Sequence, residues 1–487
     1  MRTSTDVQTL VQAEGLVKPP GVATPAIRNP LRWFVFAVVL GANIMDLMDA
    51  TIVNVAGPSI RAALGGSAST LQWLPAGYTL AFAVFLITGA RLGDMFGRRR
   101  LFLIGSAGFT VMSAACSAAP SMAALIAFRV LQGSFGALMI PQGFGMLKEV
   151  FAEDEMTKVF GAFGPMMGLS ILAAPILAGA LIEANLWGIG WRLVFLINVP
   201  IGIAAFAGAV RVLPRTVPHP GIRLDTGGMV LIGVALTAII YPLIQGRTAG
   251  WPAWTFVSLA AGAVLLGVFV LWERRRRGDR LVEPGLLRNR TYTSGILVAL
   301  AFFGAFGGLL LCVSLFAQLG EHFSPIHAGL TLIAMVLGMI AGMGAGFALV
   351  GRLGRHLLHA GVAITAAGTI VLALTVTGAR WASTLDLAPG LFLIGAGAGA
   401  SIGQLFDFIL AGVSMDEVGS ASGVLEAVQQ LSSALGVAVL GTIFFSALGS
   451  HLPTHALAIT AWACLVPVAL AFALIFRLPM RARESQT

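Results

Sequence analysis

Fourteen long apolar runs separated by short polar segments decide what this chain of 487 residues can become. They lie near 33–57, 71–90, 101–119, 122–145, 158–181, 192–211, 228–246, 253–272, 296–318, 328–350, 357–376, 389–413, 422–447 and 456–477. A helix needs about 20 apolar residues to cross a bilayer, and each run is close to that length. Residues are 57% hydrophobic and only 10% charged, a balance that excludes a soluble domain of this size. Backbone in hydrocarbon must satisfy its own hydrogen bonds, so the runs are expected to be helices. The expected fold is an all-α polytopic membrane protein with 14 transmembrane helices.

Loop charge tests that count independently. Cytoplasmic loops carry the excess of Lys and Arg. Of the 30 such residues, only Arg61, Arg247 and Arg380 fall in one alternate set of loops, while Arg129 and Arg192 lie within or at the edge of spans. All the rest sit in the N-terminal segment, the other set of loops and the C-terminal segment. A miscounted helix would scramble this asymmetry from the error onward. Both termini are therefore expected to be cytoplasmic. The net charge of +9 becomes a topology signal, with no nucleic-acid partner implied. Its densest part, WERRRRGDR from Trp272 to Arg280, reads as an anchor facing membrane lipid.

Within the first run stands MDLMDATIVNVAGP, Met45 to Pro58. Asp46 and Asp49 are three residues apart and share one helix face. An ionised acid at the centre of a span costs roughly 2.5–3.5 kcal/mol, so such residues face a bundle interior or a wet cavity. The pair is expected to bind protons and cations in competition and to titrate as a coupled unit. The alternative is a helix–helix hydrogen bond by one neutral acid. Lys18, Lys148 and Lys158 are the only lysines and none precedes Ser or Thr, so a phosphate loop for ATP hydrolysis is absent. Cys116, Cys312 and Cys464 all fall inside apolar runs and read as small buried hydrophobes.

The loop after the second run is ARLGDMFGRRR, Ala90 to Arg100. Tight turning accounts for Gly93 and Gly97 and orientation for Arg98 to Arg100. Neither accounts for Asp94. Leu349, Gly351, Arg352, Gly354 and Arg355 repeat the spacing of Leu92, Asp94, Met95, Gly97 and Arg98 after the tenth run. A motif repeated in two halves suggests two related bundles. The expected domains are a tail at 1–32, a six-helix bundle at 33–211, an inserted helix pair with linkers at 212–292, a second six-helix bundle at 293–477 and a tail at 478–487.

This loop resembles the G-x-L-x-D-R-x-G-R motif of the major facilitator superfamily. FRVLQGSFGA, Phe128 to Ala137, is similar to the fourth-helix motif of its proton-coupled members, with Arg129 as the buried arginine. GPMMG at Gly164–Gly168 and APILAG at Ala174–Gly179 resemble the fifth-helix antiporter motif, through Gly164, Pro165, Pro175 and Gly179. DATIVNVAGP, WRLVFLINVPIG (Trp191–Gly202) and the Ala421–Gly436 pattern resemble the fourteen-helix drug/proton antiporter branch. Six departures stand out. Ala90 and Met95 replace the loop's usual glycine and arginine, which thins its charge network. Ala174 and Ala178 replace glycines in helix 5. Glu426 and Gln429 stand where relatives often have asparagine and arginine.

The resemblance implies that the first and fourth helices face one cavity. Arg129 lies about 10 Å and Asp49 about 12 Å inside the same end of their helices, so the two can meet. Asp407, about 9 Å from the other end of the twelfth helix, and Glu426, in the first turns of the thirteenth, form an expected second acidic site for cationic substrate. A helix-start role for Glu426 is the plain alternative. Phe302, Phe303 and Phe306 read as ordinary apolar packing.

The implied function is export of amphipathic, cationic, drug-like compounds in exchange for protons by alternating access. The implied alternatives are a dedicated exporter of one metabolite or antibiotic and, further off, a nutrient symporter. No enzyme activity, catalytic residue, cofactor or metal is expected, the proton gradient being the energy source. Partners are the small-molecule substrate, protons and membrane lipid, with a monomeric chain in the cell membrane. Gly93, Asp94, Gly97 and Arg98 are assigned to gating.

Overall fold

The computed structural model describes residues 31–480, apart from 152–154, 156–158, 160–169, 171–172, 215–224, 276–283, 412 and 414–417. Among the described residues every regular element is helical. The long helices are α1 (Arg32–Leu64), α2 (Ala68–Phe96), α3 (Arg98–Ser117), α4 (Met122–Val150), α5 (Ala173–Ala184), α6 (Asn198–Val212), α7 (Thr226–Gln245) and α8 (Ala253–Arg275). They continue with α9 (Arg290–Leu315), α10 (Ile333–Leu353), α11 (Arg355–Val376), α12 (Thr384–Leu410), α13 (Val418–Leu448) and α14 (Pro453–Ile475). Among the described residues, twelve helices are long and apolar enough to cross a membrane. Helix α2, bent by 47° between Leu86 and Thr88, makes a thirteenth when taken as one span. The described part of α5 is a shorter apolar helix.

Side-chain caps set several of these starts. Ser121 accepts from Ala124 N–H at 3.2 Å and opens α4, and Asn289 accepts from Thr291 and Tyr292 and opens α9. Ser383 and Asp386 form a reciprocal capping box at α12. Such caps answer the free N–H groups that any helix start presents.

The two halves pack alike. Helix α4 lies against α2 and α3, and α12 lies against α10 and α11. Helices α7 and α8 pack on each other, and α7 also touches α2 and α13. Loops alternate between two faces, called here the Gly97 face and the Gly188 face. The two bundles meet toward the Gly188 face: Ser314 of α9 donates to the Asn54 carbonyl of α1 at 2.9 Å. On the same face, Glu183 of α5 accepts from Ile326 N–H at 3.0 Å, in the short helix Pro325–Thr331 ahead of α10.

Candidate functional site

Asp46 and Asp49 lie on either side of the middle of α1, which spans 33 residues. Both are buried, Asp49 completely. Arg129 of α4 is also fully buried, and its Nη1 bonds directly to Asp49 Oδ2. The same nitrogen donates to Gln132 Oε1 at 2.8 Å, and Nε donates to the Leu74 carbonyl of α2 at 3.3 Å. Asp49 Oδ1 accepts from Gln132 Nε2 at 3.0 Å and from Asn198 Nδ2 of α6 at 2.6 Å. Gln132 also donates to Ser113 of α3 at 2.8 Å. A carboxylate in hydrocarbon is tolerable when a cation and donors of this kind surround it. Five helices, α1, α2, α3, α4 and α6, are thereby tied around one acid.

Asp46, one turn away, has different company. Its Oδ1 accepts from the Tyr78 hydroxyl of α2. The Tyr78 ring lies 4.3 Å from the Arg129 guanidinium carbon, so one face of that aromatic stacks on the cation while its hydroxyl serves the other acid. Gly136 of α4 leaves the space: a Cβ there would stand 3.1 Å from both Asp46 Oδ1 and Tyr78 Oη.

Glu426 of α13 is half-buried, and its charge interacts with that of Asp46 across the bundle boundary. Asp407 sits on the exposed side of α12, one turn beyond buried Gln404.

The loop between α2 and α3 is reduced to Gly97, whose φ of 94° is a conformation that favours glycine. Arg98 donates to Asp94 Oδ1 through Nε at 3.1 Å and Nη2 at 3.0 Å, and through Nη1 to Glu149 of α4 at 3.1 Å. The arginine missing at Met95 is thus offset by a chain of Asp94, Arg98 and Glu149. Gly93 is required by close approach, since a Cβ there would come 1.8 Å from Gln142 Oε1. The repeated loop, at Gly354, works differently: Arg355 donates to the Phe476 and Leu478 carbonyls and secures the segment after α14.

Of the fifth-helix motif, Gly164 and Pro165 lie outside the described residues. Gly179 and Pro175 meet the start of the tenth span closely. A Cβ on Gly179 would fall 2.3 Å from Ile326 Cα, and one on Gly329 would fall 2.5 Å from the Pro175 carbonyl oxygen. The alanines at 174 and 178 are fully buried and do not prevent this contact. Cys116, Cys312 and Cys464 are buried free thiols.

Sequence reasoning missed Tyr78, Ser113, Gln132 and Asn198. Gln132 follows Arg129 by three residues on one helix face, and Asn198 stands within a quoted motif, so both were within reach. Tyr78 gave no local signal.

Two helical halves of like packing, with ionisable groups buried at the middle of the first, define a polytopic transporter of the cell membrane. The family model described as Major Facilitator Superfamily matches residues 39–228 and 220–437, and the chain belongs to that superfamily. It is 48% identical over 441 residues to the "Probable actinorhodin transporter" of Streptomyces coelicolor, covering 89% of this chain and 76% of the relative. It is 33% identical to the "Tetracenomycin C resistance and export protein" of Streptomyces glaucescens, over 90% of this chain and 80% of the relative. Identity to the "Multidrug resistance protein Stp" of Mycobacterium tuberculosis is 31%, over 84% and 75%. A crystal structure of an auto-inhibited POT family peptide transporter superposes with a TM-score of 0.65 at 14% identity, over 91% of this chain and 95% of the other, and shows the shared fold.

Proposed function

We propose that this chain exports an antibiotic or similar drug-like compound in exchange for protons, by alternating access, with 14 helices and both termini in the cytoplasm. One observation carries the coupling: Asp49 bonds directly to Arg129, while Asp46, one turn away on the same helix, is held by the Tyr78 hydroxyl. Two acids on one helix face in hydrocarbon, with a single arginine bonded to one of them, call for a proton or a substrate cation at the other. Exchange of one for the other is antiport. A proton arriving from outside displaces the substrate, and its loss to the cytoplasm restores the site. The proton gradient drives the cycle without a cofactor, each charge moved contributing about 2.3 kcal/mol per 100 mV.

Two cargo ranges fit. The 48% identity to a protein named for actinorhodin supports a narrow antibiotic cargo. The acids at 46 and 426 support amphipathic cations, with Asp407 as a further contact on the Gly97 face. Asp94 and Arg98 belong to gating, and Pro175 and Gly179 to the bundle contact that must part when the Gly188 face opens.

The test is export from a host stripped of its own exporters, with actinorhodin and ethidium as probes. The proposal expects energy-dependent export of at least one, lost when a protonophore is added. Export that survives the protonophore contradicts proton coupling. In the same cells, cysteines placed at 319–327 or 449–455 should react with an impermeant thiol reagent from outside, and those at 278 or 484 should not. Outside labelling at 278 contradicts the 14-helix topology.

A further inference from the structure

The inserted pair, α7 and α8, is joined to both bundles at one small cluster. Thr442 of α13 donates from Oγ1 to the Leu243 carbonyl of α7 at 2.7 Å. The same oxygen accepts from Gln72 Nε2 of α2 at 3.3 Å, and that amide also reaches the Val437 and Ala438 carbonyls at 3.2 Å each. Gln72 is 1% exposed and fills the seam so closely that a Cβ on Gly441 would stand 2.4 Å from its Nε2. Helix α7 also holds α2 directly, through Ser69 Oγ donating to Gln245 Oε1 at 3.2 Å and through Tyr241 against Trp73, ring centroids 5.9 Å apart. On the α13 side, the Arg247 guanidinium carbon lies 5.6 Å from the Phe445 ring. One end of α7 therefore touches one helix from each bundle, at the face where the bundles meet.

Helices α2 and α13 belong to opposite bundles, so rocking must move them relative to each other. Because α7 is bonded to both, it cannot follow both. Opening the Gly188 face breaks either its α2 contacts or the Thr442–Leu243 bond. A threonine inside a span ordinarily donates to its own helix, as Thr460 does to Ala456. Thr442 donates to a neighbouring helix instead. The Leu243 carbonyl is a suitable acceptor, since it lies in the last turn of α7, where carbonyls lack a partner within the helix.

We infer that the inserted pair is a brace across the bundle seam, with Thr442 the positioning residue through which it holds the Gly188 face closed. The inference rests on the alternating-access reading above. The pair is thus part of the moving machinery, and the rate at which the face opens depends on a hydroxyl that touches neither substrate nor the buried acids.

The test places a single reporter, Leu310→Cys, in the closed space between the bundles that Thr51, Asn54, Val55, Leu310 and Met335 line. Labelling by an impermeant maleimide from the Gly188 face then measures opening. Thr442→Val removes the hydroxyl and keeps the shape, and Thr442→Ser restores it. The expected result is labelling about three- to tenfold faster in the valine variant, the range for loss of one net hydrogen bond, and wild-type labelling in the serine variant. Turnover should change with KM for the exported probe unchanged. Labelling of the reporter that responds to an imposed proton gradient, yet is identical in Thr442→Val, overturns the brace and leaves alternating access standing. Labelling that ignores both gradient and substrate overturns alternating access itself. If the valine variant does not reach the membrane, Gln245→Leu cuts the Ser69 bond from the other side and carries the same two outcomes.

Discussion

The two halves of this transporter share a packing plan, to which the first half alone adds a buried ion pair at its central helix. In the first half, α4 meets its neighbours through a buried arginine, a glutamine and a carboxylate. In the second, α12 meets α10 and α11 through glycines. A Cβ on Gly395 would fall 1.7 Å from the Met335 carbonyl oxygen, and one on Gly399 would fall 2.0 Å from that of Met339. Helices in lipid gain no hydrophobic association, so close backbone contact or polar bonds must hold them. Both halves use the former, since a Cβ on Gly133 of α4 would fall 2.3 Å from the Tyr78 carbonyl oxygen of α2, and the first half adds the latter. Bonds that involve ions can respond to a proton, whereas backbone contact cannot. The first half is accordingly the one suited to sense protons, and the second is the more rigid partner.

The sharpest way to break this comparison is to add volume to the second half. Gly395→Leu should prevent assembly, because α10 and α12 would have to separate, and the membrane yield should fall below detection. Normal yield would mean that the glycine contact is dispensable. Next comes Asp49→Asn, which keeps the shape and some hydrogen bonds but neither the charge nor the exchangeable proton. It should reach the membrane and lose export, by more than about 100-fold in initial rate. Asp49→Leu should not accumulate, since removing one partner of a buried pair costs about 3–5 kcal/mol.

Asp46→Asn is expected to be milder. Among the described residues its acid has one hydroxyl donor and no directly bonded cation, so the fold depends on it less. Export of cationic ethidium should fall about tenfold, and Glu426→Gln should fall in the same direction, while an uncharged cargo is affected less. Equal export of all cargoes by the double variant would remove these acids from recognition. Smallest is Asp94→Asn. The Arg98 bond to Glu149 survives, so turnover should slow about threefold with KM unchanged. A shift in KM alone would take Asp94 out of gating.

Much of this architecture was legible because membrane solvent imposes simple rules. Apolar length marks helices and basic loops mark one face, and both signals are written locally in the chain. Asp49 and Arg129 could be paired from depth once the family resemblance put the first and fourth helices on one cavity, since 1.5 Å per residue fixes height within a straight span. Glu426 shows where that reasoning ends. Helix α13 runs from Val418 to Leu448 and packs on α2 as well as on α9 and α14, and height alone does not choose among these neighbours. Which acid it meets depends on rotation and on bundle contact, and neither is encoded in its neighbours. Tyr78 was invisible for the same reason: a phenol within an apolar run reads as packing until the helix that faces it is known. Glu149 likewise gave no sign that it would complete the loop network left short by Met95.

The central claim is that substrate and proton compete for the acids of α1 and α13. It is tested most directly in proteoliposomes with an acid interior and weak internal buffering, using actinorhodin and ethidium as probes and an internal pH dye as readout. Addition of a transported probe outside should make the interior more alkaline as protons leave in exchange, and Asp49→Asn should give no change. Transport of a probe with no pH change, or with further acidification of the interior, would contradict the account.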